Sequence, residues 1–192
     1  LTLVLLILIG LQVAGTVFAQ TPLSEGDVIS AVVRPGLETT LTSPDGRVTL
    51  TFPTNFFSVT LVVTYTERAI ADLPPNLAQI GPAFTLEAAR ASDGQPVTIY
   101  KVDGCSPVGE PNSKEQCLLP EGGLEIAFHY TDAEITSVGI RSDTLALAYH
   151  YIPDGTSGKW LPLATVIDGR GQPTNNQALA STWYLTHFAL LG

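Results

Sequence analysis

The sequence predicts an all-β fold, an antiparallel β-sandwich, on three observations. Short runs alternate between apolar and polar residues, the cleanest being Arg47-Val48-Thr49-Leu50-Thr51-Phe52, and period-2 alternation is the mark of a half-buried strand. Asp-Gly pairs punctuate the chain at Asp45-Gly46, Asp93-Gly94, Asp103-Gly104, Asp154-Gly155 and Asp168-Gly169, where glycine takes up a positive φ at little cost. Helical periodicity is scarce, and no propeller or solenoid repeat recurs. Regularly spaced short strands with turn signals between them give a sandwich or barrel.

The elements follow in order. Leu1–Ala19 is apolar and uncharged, ending in Val17-Phe18-Ala19. A short hydrophobic run closed by small residues at −3 and −1 has the pattern of a secretory signal peptide, so cleavage is expected to leave Gln20 as the new N-terminus. The competing reading is a retained transmembrane anchor, which needs about 20 apolar residues; Gln12, Gly10 and Gly15 shorten the strongly apolar part. The absence of an initiator methionine and of a basic leader, with the end at Gly192, suggests a fragment of a longer protein. Residues 20–27 form a polar lead-in, and residues 28–192 the sandwich, a length that suits one domain.

Within the sandwich, Leu37–Thr42 and Arg47–Phe52 flank Ser43-Pro44-Asp45-Gly46 and predict a hairpin, with Val48, Leu50 and Phe52 facing inward. Ser58–Thr66 is β-branched and aromatic, and Ala83–Ala88 and Val97–Tyr100 alternate. Asp72–Ile80 contains Pro74-Pro75 and reads as a loop or brief turn. Leu124–Tyr130 alternates strongly, with Leu124, Ile126, Phe128 and Tyr130 on one face. Thr131 then caps a single helical turn through Ile135. Strands at Thr144–Tyr151 and Trp160–Ile167 follow, and a last one runs from about Ala178 to Leu190.

Cys105 and Cys117 are the only cysteines. In an exported chain such a pair, set across a turn-rich segment, reads as a disulfide, stabilising by about 3 kcal/mol in the chain-entropy model. A redox or metal pair is the alternative, but it lacks C-x-x-C spacing and a nearby histidine.

The charge of −9 is dispersed, and no two of the nine basic residues are adjacent, which argues against nucleic acid. The acidic turns lack the dense ligand spacing of a calcium loop. His129, His150 and His187 each precede an aromatic residue. They fall on three separate predicted strands with no sign of a shared face, so no metal and no cofactor is expected. No nucleophile elbow, P-loop or dinucleotide fingerprint is present, and the acids sit in turns or on outward strand positions. Trp160, Trp183, Tyr149, Tyr151 and Tyr184 are candidates for a sugar-binding face, set against ordinary packing of a sandwich.

Several segments together carry a resemblance. They are Thr42-Ser43-Pro44-Asp45-Gly46-Arg47-Val48-Thr49-Leu50-Thr51-Phe52-Pro53, Tyr130–Ile135, Leu145–Tyr151, Trp160-Leu161-Pro162-Leu163 and Thr186–Gly192. In their order and combination they resemble bacterial extracellular domains akin to the domain shared by ankyrins, netrin receptors and zonula-occludens proteins. The resemblance spans roughly Gly36 to the end and implies an antiparallel sandwich used for interaction or as a spacer. In self-cleaving relatives the scissile bond lies in a His-Phe-Ser step, whose matching residues here are His187, Phe188 and Ala189. With alanine at the serine position there is no hydroxyl or thiol to attack the preceding carbonyl, so the motif is expected to be vestigial.

The expectation is a non-enzymatic, exported module with a structural or adhesive role on a bacterial surface or secreted protein. Its partner would be a protein or a glycan, with no nucleic acid and no membrane span in the mature chain. A carbohydrate-binding module is the alternative, and no motif specifies an oligomeric state.

Overall fold

A computed structural model describes residues 27–54, 56–70, 73–97, 123–151, 158–168 and 176–192. Its strands are β1 (Val28–Val33), β2 (Thr39–Thr42), β3 (Val48–Phe52), β4 (Leu61–Arg68), β5 (Gln79–Arg90), β6 (Pro96–Val97), β7 (Leu124–Tyr130), β8 (Ala146–Tyr151), β9 (Lys159–Pro162), β10 (Thr165–Asp168), β11 (Asn176–Thr182) and β12 (His187–Leu191). One helix, α1 (Asp132–Ser137), follows β7, and a 3-10 turn at Ser142–Thr144 precedes β8. The strands form two sheets. The larger, seven-stranded sheet runs β1-β4-β5-β12-β8-β9, with β6 added to the far end of β5; the five-stranded sheet runs β10-β11-β7-β3-β2. Every pairing is antiparallel. The all-β sandwich is therefore the architecture of the described chain.

The core lies between the sheets, where alternation puts it. Val48, Leu50 and Phe52 of β3 and Leu124, Ile126, Phe128 and Tyr130 of β7 face Leu61, Val63 and Tyr65 of β4, Phe84 and Leu86 of β5, and Phe188 and Leu190 of β12. Tyr65, Phe84 and Phe188 stack in series, at centroid separations of 5.1 and 5.4 Å. Phe56 and Phe57, from the connection after β3, fill the core beside Phe52.

The hairpin at Ser43–Gly46 forms as its residues predict. Gly46 has φ 74°, and its N–H donates to the Ser43 carbonyl. Ser43 Oγ accepts from Val48 N at 2.8 Å and donates to Asp45 Oδ1 at 2.6 Å. The helical turn also forms where expected. Thr131 Oγ1 accepts from Glu134 N while the Glu134 carboxylate accepts from Thr131 N, a complete capping box.

Two expected strands each divide in two. Trp160–Ile167 becomes β9 on the larger sheet and β10 on the smaller, and Ala178–Leu190 becomes β11 on the smaller and β12 on the larger. Apolar side chains continue through both crossings, Leu163 in the first and Leu185 in the second, and each packs against the core, so the apolar pattern never breaks. Hydroxyls hold the corners. Thr165 Oγ1 donates to the Leu163 carbonyl and accepts from Leu147 N, while Thr186 Oγ1 donates to the His150 carbonyl. Val28–Val33, where the sequence reading gives no strand, forms the edge strand β1; its near-continuous apolar character hides a period of two. Of the segment Val97–Tyr100, only Val97 lies within the described residues, in β6.

Leu1–Ala19, Cys105 and Cys117 lie outside the described residues. Among the described residues no helix is long and apolar enough to cross a membrane.

Candidate functional site

The outer face of the larger sheet carries a second, smaller buried layer. Ala83, Ala148, Ala189 and Leu191 form its floor, and Ile70, Leu73 and Leu77, from the connection between β4 and β5, pack over them with Trp160. That connection is tied to the end of the chain by paired backbone bonds between Ala78 and Gly192. Ala189 is 0% exposed. Its methyl group therefore sits within a packed alanine layer.

One rung along the same face, strand register draws a row of side chains across the sheet. Trp160 pairs with His150, His187 pairs with Thr85, Thr85 pairs with Thr66, and Thr66 pairs with Val28. The β12–β8 register, with Phe188 opposite Tyr149, sets His187 opposite His150. The two imidazoles lie parallel, 8° between planes with centroids 5.8 Å apart, and Trp160 stands 5.1 Å from His150 on its other side. A Cβ on Gly158 would collide with Cε1 and Nε2 of His150, so the glycine lets the backbone close against that ring. Thr85 is 4% exposed, and its Oγ1 has no hydrogen-bond partner. Burial holds the His187 imidazole below its usual pKa, and neighbouring His150 and Arg68 push the same way while Glu87 opposes them. His187 is accordingly favoured in its neutral form.

His129 is elsewhere. It faces outward from the five-stranded sheet, where its ring nitrogens lie 3.3 and 3.4 Å from Gln177 Nε2. Among the described residues no three His, Cys, Asp or Glu side chains converge. The structure therefore brings together two of the three histidines that the sequence reading set apart.

The five candidate aromatics divide between two surfaces. Trp160 belongs to the outer row. Tyr149, on the opposite side of β8, fringes the main core and stacks on Tyr184 at 4.8 Å with 10° between planes. Burial raises the Tyr149 phenol above its usual pKa, and Tyr184 and Tyr151 add to the shift. Tyr151 and Trp183 are the exposed rings, at 45% and 41%. Each tyrosine of the stack covers a face of the other.

The sequence reading named His150, His187 and Trp160 but not Thr85, Arg68 or Glu87. A threonine in an alternating strand carries no individual signal. Only the register, between strands separated by four sheet crossings, sets Thr85 beside His187.

No family model, no curated protein and no solved structure matches this chain. What the geometry defines is a class, a two-sheet antiparallel sandwich with a histidine-tryptophan row on one outer face.

Proposed function

We propose that this chain is an exported, non-enzymatic β-sandwich module with a structural or adhesive role on a bacterial surface or secreted protein. The observation that supports it is Ala189. Its methyl packs with Ala83, Ala148 and Leu191 beneath Ile70 and Leu73, where self-cleaving relatives would need a hydroxyl one peptide bond beyond Phe188. Without a nucleophile, strain in the backbone has no bond to break, and His187 is left to packing or to ligands. The dispersed acidic composition, with a net charge of −9, suits a soluble surface domain.

The test is mass spectrometry of the purified chain together with N-terminal sequencing of material exported by a bacterial host. The reading expects one species, beginning at Gln20 and ending at Gly192. Two fragments divided between Phe188 and Ala189 would overturn the non-enzymatic assignment, and retention of Leu1–Ala19 would overturn export by cleavage. Ala189→Ser restores the missing hydroxyl; appearance of two fragments in that variant alone marks His187-Phe188-Ala189 as a silenced motif.

A further inference from the structure

We propose that His150 and His187 form a two-histidine chelating site for a late first-row divalent ion, Zn²⁺, Ni²⁺ or Cu²⁺, with Thr85 Oγ1 accepting a hydrogen bond from a water on that ion. Four features of the outer row carry this. First, the β8–β12 register sets the two histidines directly opposite one another. Directly opposite residues in an antiparallel pair have Cβ atoms about 4.5–5.5 Å apart, a span that two imidazoles bridge to one ion at about 2.0–2.1 Å from each nitrogen. Second, the imidazoles are already adjacent, with centroids 5.8 Å apart. Closing the chelate takes side-chain rotation out of the parallel stack and no movement of the strands. Third, imidazole is the donor these ions favour.

The fourth feature is Thr85, a hydroxyl 96% buried on the rung beside His187 with nothing to bond to. A buried hydroxyl without a partner is unfavourable, and a bound water on the ion removes that penalty. Metal ligands are commonly held by such outer partners.

The surroundings set the strength of the site. A ligand must be the neutral imidazole, and the buried setting of His187 favours that form. Arg68 from β4 repels a cation, Glu87 from β5 attracts one, and Trp160 from β9 closes the far side of His150. With two protein ligands, solvent completes the coordination, so the ion is exchangeable. It is not a structural zinc of the four-ligand kind.

The experiment is calorimetric titration of the full chain with ZnCl₂ and, separately, NiCl₂ at pH 7.5. The wild type is compared with His150→Gln, His187→Gln, Thr85→Val, a His129→Gln control and a Cys105→Ser/Cys117→Ser double variant. The site predicts one ion per chain for the wild type, the control and the cysteine variant. Either substitution at 150 or 187 removes binding, and Thr85→Val weakens it about tenfold, in the range outer partners contribute. Circular dichroism of each variant separates lost binding from lost folding. Should His187→Gln fail to fold, the wild type is titrated at pH 5.5, where proton competition for the imidazole ligands must weaken binding. No binding by the folded wild type, binding that survives both histidine substitutions, or binding that vanishes with the cysteines would each overturn the proposal.

Discussion

Two polar regions of this sandwich are built in opposite ways. At the β2–β3 hairpin every charged group has a neighbour of its own chain. Arg47 pairs with Asp45 on its own turn and with Glu134 of α1, and Glu134 closes the capping box. Tyr65 donates to Glu67 at 3.2 Å. In the outer row of the larger sheet the polar groups stand side by side without bonding, the imidazoles stacked and the Thr85 hydroxyl empty-handed. The first region spends its polarity on joining three elements; the second leaves hydrogen-bonding capacity for something else. Saturated polar clusters serve the fold, while unsaturated ones need another explanation.

The largest effect is expected where the closed cluster meets the core. β5 bulges opposite β12, because Phe188 pairs with Phe84 while Leu190 pairs with Ile80. At that bulge Gly81 has φ 64°, and a Cβ there would come within 3.0 Å of Arg47 Nη1 and Phe128 Cζ. Gly81→Ala combines left-handed strain with overpacking and should cost about 2–4 kcal/mol, read as a fall in the denaturant midpoint. An unchanged midpoint would show that β5 is free to shift and that Arg47 is not wedged against it.

Deleting a hydroxyl should then have opposite signs in the two regions. Ser43→Ala strands the buried Val48 N–H and removes one of the two hydrogen bonds to Asp45 Oδ1, a loss of about 1–3 kcal/mol. Thr85→Val replaces an unpartnered buried hydroxyl with a methyl of the same shape and should gain up to about 1 kcal/mol, since the penalty of an unsatisfied group disappears. Chemical denaturation of the metal-free proteins measures both. If both substitutions destabilise, Thr85 has a partner in the folded chain and the contrast between the regions fails.

The closed cluster was largely legible in the sequence. Ser43-Pro44-Asp45-Gly46 and Thr131–Glu134 are local motifs whose bonds close within a few residues, so turn chemistry and capping rules reach them. The open row was not legible. His150 and His187 lie on strands that pair only after the chain has crossed to the other sheet and returned, at Leu163-Ala164 and again around Leu185. Apolar side chains run on through both crossings, so period-2 reading joins β9 to β10 and β11 to β12 and loses the pairing. Phe56 and Phe57 were missed for the same kind of reason: they enter the core from a connection, where alternation says nothing. Ala189 is legible in the sequence as a side chain without a hydroxyl or thiol, but its place in an alanine layer emerges only once β5, β8 and β12 are side by side.

The smallest effect separates the regions by pH. Burial and the Asp45 charge raise the pKa of Glu67, 7% exposed, above the ordinary carboxylate value. Its folded form holds a proton more tightly than its unfolded form, so its contribution to stability is present below the usual carboxylate range and is lost as pH rises through the raised value. His187 has the reverse sign. Its lowered pKa means that the unfolded chain binds the proton more tightly, so stability is complete above the unfolded histidine value of about 6.5 and falls as pH drops through the lowered one. Thermal unfolding across this range should therefore show Glu67→Gln more stable than the wild type at pH 7, with the advantage shrinking in acid. His187→Asn should lose the decline below pH 6.5 and leave the carboxylate region unchanged. Gln at 67 still accepts the Tyr65 hydroxyl, so that comparison isolates charge from hydrogen bonding. If His187→Asn keeps the full acid decline, burial of His187 does not disfavour its protonation and this half of the contrast fails.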